Sequence, residues 1–148
     1  MFIREAILDD ALAEKLIALS ERWEAEHNCW GYGRNGRANI EGGRIFIAEE
    51  DGEVLGYLFG QSHVAEEANA VMAAGTFYFE IDELYIIPER RSTGVGGRLF
   101  RFVEDTVRAE GVSQLMLSTA SKDYKRILHF YIEEMGMDFW TALLFKKL

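Results

Sequence analysis

Apolar residues in the first half of the chain follow the spacing of strands around one helix. Residues 2–6 predict a short edge strand. A helix follows with Asp9 or Asp10 as its N-cap, and its predicted buried face carries Leu12, Leu16, Leu19 and Trp23. Residues 44–49 and 53–60 then predict two strands joined by an Asp-Gly turn, which is typical of a β-hairpin.

Strand and helix patterns alternate in the second half. A long β-rich run over residues 76–87 ends at Pro88, and the stretches 28–43 and 64–75 predict loops or short helical turns. The remaining patterns predict a helix, a strand, a helix and a final strand over residues 96–110, 113–119, 122–134 and 137–147. This order predicts an α/β fold in which a mixed sheet carries helices on its faces.

Size and composition predict a single domain over residues 1–148. The chain is 49% hydrophobic and 28% charged, which is ordinary for a globular protein long enough to bury a core. No apolar run approaches the ~20 residues of a membrane-spanning helix, and the N-terminus lacks the pattern of a secretion signal. The one cysteine, Cys29, cannot form an internal disulfide. We therefore expect a cytoplasmic protein without a membrane partner.

The formal net charge of −9 bears on the class of partner. An acidic protein repels a phosphate backbone at long range, so we expect no nucleic-acid partner, whereas a cationic acceptor such as an amine is compatible with this charge. His27, His63 and His129 lack the spacing of metal ligands, and there is no second cysteine. We therefore expect no metal.

A glycine-rich turn between a predicted strand and a predicted helix is the main candidate for ligand binding. Residues 91–97 follow the pattern R-x-x-G-x-G-G. Glycines allow positive φ and close approach of an anion, and the N–H groups of a helix N-terminus bind phosphate. Arg91, with Arg90 or Arg98, would add positive charge. The pattern matches neither a P-loop nor a dinucleotide fingerprint, and the alternative is a tight turn without a ligand.

Two blocks in the second half carry a family resemblance. Residues 84–97 read LYIIPERRSTGVGG and residues 129–137 read HFYIEEMGM. The first resembles the strand L-Y-V-x-P-E-x-R and the acetyl-CoA signature R/Q-x-x-G-x-G/A of the GNAT superfamily of N-acetyltransferases, and the second resembles its F-Y-x-x-x-G-F block. The element order also matches, so the resemblance covers nearly the whole chain. It implies a central mixed, mostly antiparallel sheet of six to seven strands flanked by about four helices.

The resemblance also implies acetyl-CoA as the acyl donor, bound along the end of the strand through main-chain groups and across the glycine-rich turn. The implied cofactor-binding residues are Tyr85, Ile86, Ile87, Arg91, Ser92, Thr93, Gly94, Val95, Gly96, Gly97 and Arg98.

Carboxylates on the strand over residues 76–87 are the candidates for the proton acceptor that amine acetylation needs. Strict alternation predicts Glu80 and Asp82 on one face and Glu83 on the other, although a bulge would change which side chain faces the cleft. The resemblance implies a base at Asp82 or Glu80, and we rank Asp82 first, Glu80 second and Glu83 third. Alternatively, these acids only attract or orient a cationic substrate.

Tyr131 and the loop after the first helix complete the predicted site. The resemblance implies that Tyr131 protonates the coenzyme thiolate, the alternative being a packing role. It also implies direct transfer, so we interpret Cys29 as a packing or surface residue distant from the motifs. Trp30 and Tyr32, with Glu83, are the candidates for acceptor recognition, and the aromatic loop is alternatively a dimer contact.

Three functions remain open from the sequence. The first is acetylation of a small cationic amine resembling an aminoglycoside or polyamine, and the second is acetylation of a protein N-terminus or lysine. The third is a non-catalytic acetyl-CoA-binding module, which the presence of Tyr131 and several carboxylates disfavours. The apolar run over residues 140–145 predicts a homodimer, because an exposed apolar edge promotes association.

Overall fold

Five strands form one sheet in the order β1-β2-β3-β4-β5 in the computed structural model, which describes residues 1–148. Their bounds are β1 Phe2–Ala6, β2 Arg44–Glu50, β3 Glu53–Val64, β4 Phe77–Ile86 and β5 Gln114–Met116. The first four strands pair antiparallel, and β5 pairs parallel to β4. The mixed, mostly antiparallel sheet is confirmed, with five strands where six to seven were predicted.

Helices lie on both faces of the sheet. They are α1 Asp10–Glu26, α2 Arg37–Glu41, α3 Val95–Ala109 and α4 Tyr124–Leu128, with a 3₁₀ turn at Pro88–Arg90. Asp9 is the N-cap of α1, because its carboxylate accepts a 2.7 Å hydrogen bond from the N–H of Leu12. The predicted helix over residues 122–134 is instead the short α4 continued by a π-helical segment, His129–Glu134.

Alternation along the strands separates two hydrophobic cores. Ile47 and Tyr57 point to the α1 face and pack with Leu16, whereas Phe46 and Phe79 point to the opposite face. That second core also contains the buried face of α3, formed by Leu99, Phe100, Val103 and Val107. The sheet therefore lies between α1 and α3, and β4 contributes side chains to both cores.

A bulge in β4 changes the face on which its acidic residues lie. Phe59 of β3 pairs with Glu83 while the next residue, Gly60, pairs with Ile81, so Asp82 is the extra residue. A Cβ at Gly60 would lie 2.5 Å from the carbonyl oxygen of Glu80, so this approach of the strands requires glycine. Strict alternation was therefore the wrong prediction: Asp82 and Glu83 both face the α1 side.

The pairing between β4 and β5 is short. It joins only Tyr78–Glu80 to Gln114–Met116, although the predicted strand ran over residues 113–119. Beyond it, Ile81–Ile86 remain in β4 while residues 117–121 diverge, so the second edge of β4 has no strand partner there. This divergence opens the cleft described below.

No strand forms over residues 137–147, which corrects the predicted C-terminal strand. β5 offers only three residues as an edge, and the chain after it bonds to the loop after α1, with Trp30 N–H donating to the carbonyl of Ala120 at 2.9 Å. Leu143 and Leu144 consequently remain 100% and 89% exposed. This explains part of the difference in strand number.

Candidate active site

A cleft of about 1180 Å³ opens where β4 and β5 part. One wall is Ile81–Ile86 of β4, and the other comprises residues 117–121, α4 and the π-helical segment. The glycine-rich turn before α3 closes one end of the cleft, and the loop around Cys29, Trp30 and Tyr32 covers it. The volume is slightly above the usual range of small-molecule sites, which suits two substrates bound together.

The glycine-rich turn presents free main-chain donors to the cleft. Gly94 has a φ of 89° and Ser92 a φ of 59°, and α3 begins at Val95. The N–H groups from Ser92 to Gly97 have no hydrogen-bond acceptor in the chain, whereas that of Arg98 donates to Gly94. A run of free N–H groups at a helix N-terminus is an anion-binding arrangement.

Arg91 does not project its charge into this turn. Its Nε donates to the carbonyl of Ile86 at 2.9 Å, and its two terminal nitrogens bind both carboxylate oxygens of Glu26 at 2.6 and 2.9 Å. Its guanidinium also lies over the ring of Tyr85. Arg90 is similarly paired with Glu50, so neither of these arginines provides the free positive charge that we expected. Arg98, the third candidate, is exposed and forms no ion pair, but it lies outside the lining of the cleft.

The predicted cofactor residues divide into two groups. Those that line the cleft are Tyr85, Ile86, Arg91, Ser92, Gly94, Gly96 and Gly97. Those outside its lining are Ile87, Thr93, Val95 and Arg98. Val95 is buried, the N–H of Ile87 donates to Leu55 in β3, and the hydroxyl of Thr93 donates to the carbonyl of Arg90 within the turn. Ile87 and Thr93 therefore support the turn from outside the cleft.

Glu83 is held in the cleft by three hydrogen bonds. The side-chain amide of Asn35 donates to its two oxygens at 3.0 and 2.9 Å, and the hydroxyl of Tyr57 donates at 3.0 Å. Burial raises the pKa of Glu83, and these hydrogen bonds partly oppose the rise because they stabilise the charged form. A fixed carboxylate with a raised pKa has the properties of a general base.

Asp82 and Glu80 differ in their relation to the cleft. Asp82 lines it, and burial together with the charge of Glu80 raises the pKa of Asp82. Glu80 lies outside the lining, is exposed, and has a carboxylate oxygen 3.6 Å from Nε2 of His63. The geometry thus places Glu83 and Asp82 at the site and Glu80 on the surface beside it.

Tyr131 lies across the cleft from β4, in the π-helical segment. Its ring contacts those of Phe100 and Phe130, so packing also contributes to its position. Burial raises the pKa of Tyr131 to about 12, and the hydroxyl therefore remains protonated at neutral pH. π-helical segments often occur at functional sites.

Cys29 lines the cleft. Our interpretation that it lies far from the motifs was therefore wrong. The Cys29 backbone pairs with Ser121, and the thiol is near enough to Tyr131 for their charges to interact. Burial raises the pKa of the Cys29 thiol, which disfavours the nucleophilic thiolate. The loop was expected at the site because of Trp30 and Tyr32, but no local pattern in the sequence indicated that Cys29 would line the cleft with them.

The aromatic residues of this loop have different surroundings. Tyr32 stacks on Trp23 with ring centroids 4.1 Å apart, and its hydroxyl is 2.7 Å from that of the buried Ser20. Trp30 is largely exposed and lies under the ammonium group of Lys122. Tyr32 is therefore a rigid part of the wall, whereas Trp30 lies at the rim.

Sequence reasoning missed many residues of the site, including two that hold Glu83 and two arginines. Asn35 and Tyr57 hold Glu83, and Arg101 and Arg126 line the cleft. Asn35 follows the aromatic loop without any motif, and Tyr57 belongs to a hairpin strand far away in the chain. Of these residues, only Arg101 could have been predicted from the sequence. It lies one helical turn after Gly97 and therefore on the same face of α3.

No group of three or more His, Cys, Asp or Glu side chains is arranged to hold a metal ion. None of the helices combines the length and the apolar character needed to cross a membrane.

Comparisons with known proteins identify the family. The model of the Acetyltransferase (GNAT) family matches residues 4–137, which is most of the chain. This protein therefore belongs to the GNAT family and is an N-acetyltransferase. Family membership also supports acetyl-CoA as its cosubstrate. Among curated proteins, none matches this chain.

Several solved structures share the fold at low sequence identity. A mutant of the BH1408 protein from Bacillus halodurans has a TM-score of 0.77 at 18% identity, covering 100% of this chain and 99% of that one. Aminoglycoside 6'-N-acetyltransferase AAC(6')-IG from Acinetobacter haemolyticus has a TM-score of 0.70 at 15% identity, covering 100% and 98%. Ribosomal-protein-alanine N-acetyltransferase from Brucella melitensis biovar Abortus 2308 has a TM-score of 0.69 at 15% identity, covering 99% and 100%.

Proposed function

We propose that this protein transfers an acetyl group from acetyl-CoA directly to a primary amine of a small cationic molecule. The observation that carries this proposal is the presence, in one cleft, of a turn with free N–H groups, the partly buried carboxylate of Glu83 and the partly buried phenol of Tyr131. The turn would hold the pyrophosphate, and the unpaired edge of β4 would hold the pantetheine arm through main-chain groups. Acetyl-CoA supplies the activated acyl group.

Glu83 is the proposed general base. Amine attack requires a neutral nitrogen, and a carboxylate of raised pKa removes a proton more effectively than one of ordinary pKa. We rank Glu83 ahead of Asp82 and Glu80 in this proposal, because Asn35 and Tyr57 hold Glu83 whereas Glu80 lies outside the cleft. Asp82, adjacent to Glu83 through the bulge, would attract the cationic acceptor and assist its deprotonation through water.

Tyr131 is the proposed acid. It lines the same cleft as Glu83, and its raised pKa keeps the proton available until a thiolate forms nearby. Cys29 shares this region but has a raised pKa, so direct transfer does not use it as a nucleophile.

Charge favours a cationic acceptor. Asp82 and Glu83 both line the cleft, and their negative charges would attract an ammonium group to it. The aminoglycoside acetyltransferases that share the fold make such amines reasonable first acceptors to test. A homodimer, a cytoplasmic location and the absence of a metal stay predictions.

A screen of amines tests the proposal. The purified protein would be mixed with acetyl-CoA and, separately, aminoglycosides, polyamines, free lysine and peptides with a free N-terminus, and thiol release and the acetylated product would be measured. We expect turnover with a polyamine or an aminoglycoside. Turnover with peptides alone would instead establish a protein acetyltransferase, and binding of acetyl-CoA without turnover of any amine would indicate a non-catalytic module.

A further inference from the structure

The glycine-rich turn has few free positive charges, although several arginines surround it. Arg90 and Arg91 are neutralised by Glu50 and Glu26. Arg101 of α3 lines the cleft, and it forms no ion pair or hydrogen bond with any residue of the chain. It is therefore a free guanidinium in a chain whose net charge is −9.

The geometry of α3 directs Arg101 to the free N–H groups. Side chains on a helix lean towards its N-terminus, so a residue covers the turn that precedes it. Consistent with this, Nη1 of Arg101 lies 3.3 Å from the position that a Cβ of Gly97 would occupy. The missing side chain at Gly97 leaves the space through which Arg101 extends towards the turn.

Arg101 is exposed and has no carboxylate partner within the chain. The N-terminus of a helix carries partial positive charge, which disfavours a guanidinium unless an anion accompanies it. Arg108 of the same helix shows the ordinary alternative, since it pairs with Glu104 and Asp105 outside the cleft. The position of Arg101 is thus explained by a ligand that brings negative charge.

We propose that Arg101 provides the positive charge that binds the pyrophosphate of acetyl-CoA, and that Arg91 instead fixes the turn to α1 through Glu26. This inference rests on the proposed function, because it concerns how the same cosubstrate is held. A guanidinium binds phosphate oxygens through paired hydrogen bonds and complements the main-chain donors of the turn.

Calorimetry of coenzyme binding tests the assignment. CoA and dephospho-CoA, which lacks the 3′-phosphate but keeps the pyrophosphate, would be titrated into wild type, Arg101→Gln and the matched control Arg108→Gln. We expect Arg101→Gln to weaken both ligands by about tenfold or more, because a hydrogen bond to a charged group is lost. The Arg108→Gln variant should bind both like wild type. The loss should shrink at high ionic strength, since the contact is exposed to solvent.

Each other outcome has a separate meaning. If Arg101→Gln and Arg108→Gln bind both ligands equally well, the inference is overturned while the proposed function stands. If only CoA is weakened, Arg101 contacts the 3′-phosphate and the pyrophosphate assignment is overturned. If wild type binds neither ligand, the proposed function itself fails.

Discussion

Asn35 controls the charge state of Glu83 from a loop that carries no recognisable motif. Its amide donates to both carboxylate oxygens, and its own N–H donates to the hydroxyl of the buried Ser20 at 2.7 Å. Ser20 therefore fixes Asn35, and Asn35 fixes Glu83. This chain of hydrogen bonds favours the charged form of Glu83 against the effect of burial.

The Asn35→Ala variant should shift the acid side of the pH–rate profile. Removing the two donors raises the pKa of Glu83 further, so the base becomes protonated, and activity is lost, at a higher pH than in wild type. The measurement is kcat/KM against pH with an identified amine, and Asn69→Ala, which alters a loop outside the cleft, is the control. An unshifted profile for Asn35→Ala would show that Glu83 is not the titrating base.

The Tyr131→Phe variant separates the proton donor from the packing residue. Phenylalanine keeps the contacts with Phe100 and Phe130 but has no hydroxyl, so kcat should fall by about 10²–10⁴-fold while CoA affinity barely changes. Stopped-assay rates and calorimetry would be compared with those of Tyr78→Phe, which lies outside the cleft. If the Tyr131→Phe enzyme is fully active, Tyr131 is not the proton donor and has only a packing role.

Residue types were easier to predict than the directions of their side chains. The sequence nominated the strand acids, Tyr131 and the turn glycines as candidates, because each lies in a short motif, and all of them except Glu80 line the cleft or belong to its turn. The pairing of Arg91 with Glu26 joins residues 65 positions apart, and no local pattern encodes it. The same applies to Cys29, whose loop pairs with residues 120–122 far along the chain.

At the scale of elements, the turn before α3 combines a positive φ with free donors. Gly94 and Gly75 both have positive φ and no atom within 4 Å of an added Cβ, but only Gly94 lines the cleft. Gly94→Asp and Gly75→Asp should therefore share a similar backbone cost, while only Gly94→Asp places negative charge against the pyrophosphate.

Calorimetry should show that Gly94→Asp abolishes CoA binding and that Gly75→Asp retains it. Gly96→Glu should behave like Gly94→Asp, since Gly96 also lines the cleft. If both Gly94→Asp and Gly96→Glu bind CoA with wild-type affinity, the turn is not part of the binding site.

Element boundaries were predicted well where local signals act alone. The Asp9 cap, the hairpin turn and the glycine before α3 fixed the starts of their elements within a few residues. The bulge at Asp82 was not predicted, because it depends on Gly60 of the neighbouring strand. The absence of a C-terminal strand also depends on tertiary structure. A strand needs a neighbouring edge to pair with, and β5 provides only three residues.

At the scale of the whole molecule, the apolar C-terminal residues favour self-association. Leu143, Leu144 and Leu148 are almost fully exposed, and β5 is an open edge of the sheet. Sedimentation at micromolar concentration should give twice the monomer mass. Replacing Leu143 and Leu144 together by Glu should give the monomer, whereas the equally exposed Ile7→Glu should leave the dimer intact. A wild-type protein that sediments as a monomer would refute the homodimer.

Direct transfer within one cleft is tested best by locating the acetyl group. Intact-mass spectrometry would follow the protein with acetyl-CoA alone and then with an accepted amine, in wild type and in Cys29→Ser. We expect no acetylated protein in the first mixture, an N-acetylated amine in the second, and equal turnover by Cys29→Ser, because the Cys29 thiol has a raised pKa and is not the nucleophile. An acetyl group on Cys29, with a dead Cys29→Ser variant, would contradict direct transfer and require a covalent route.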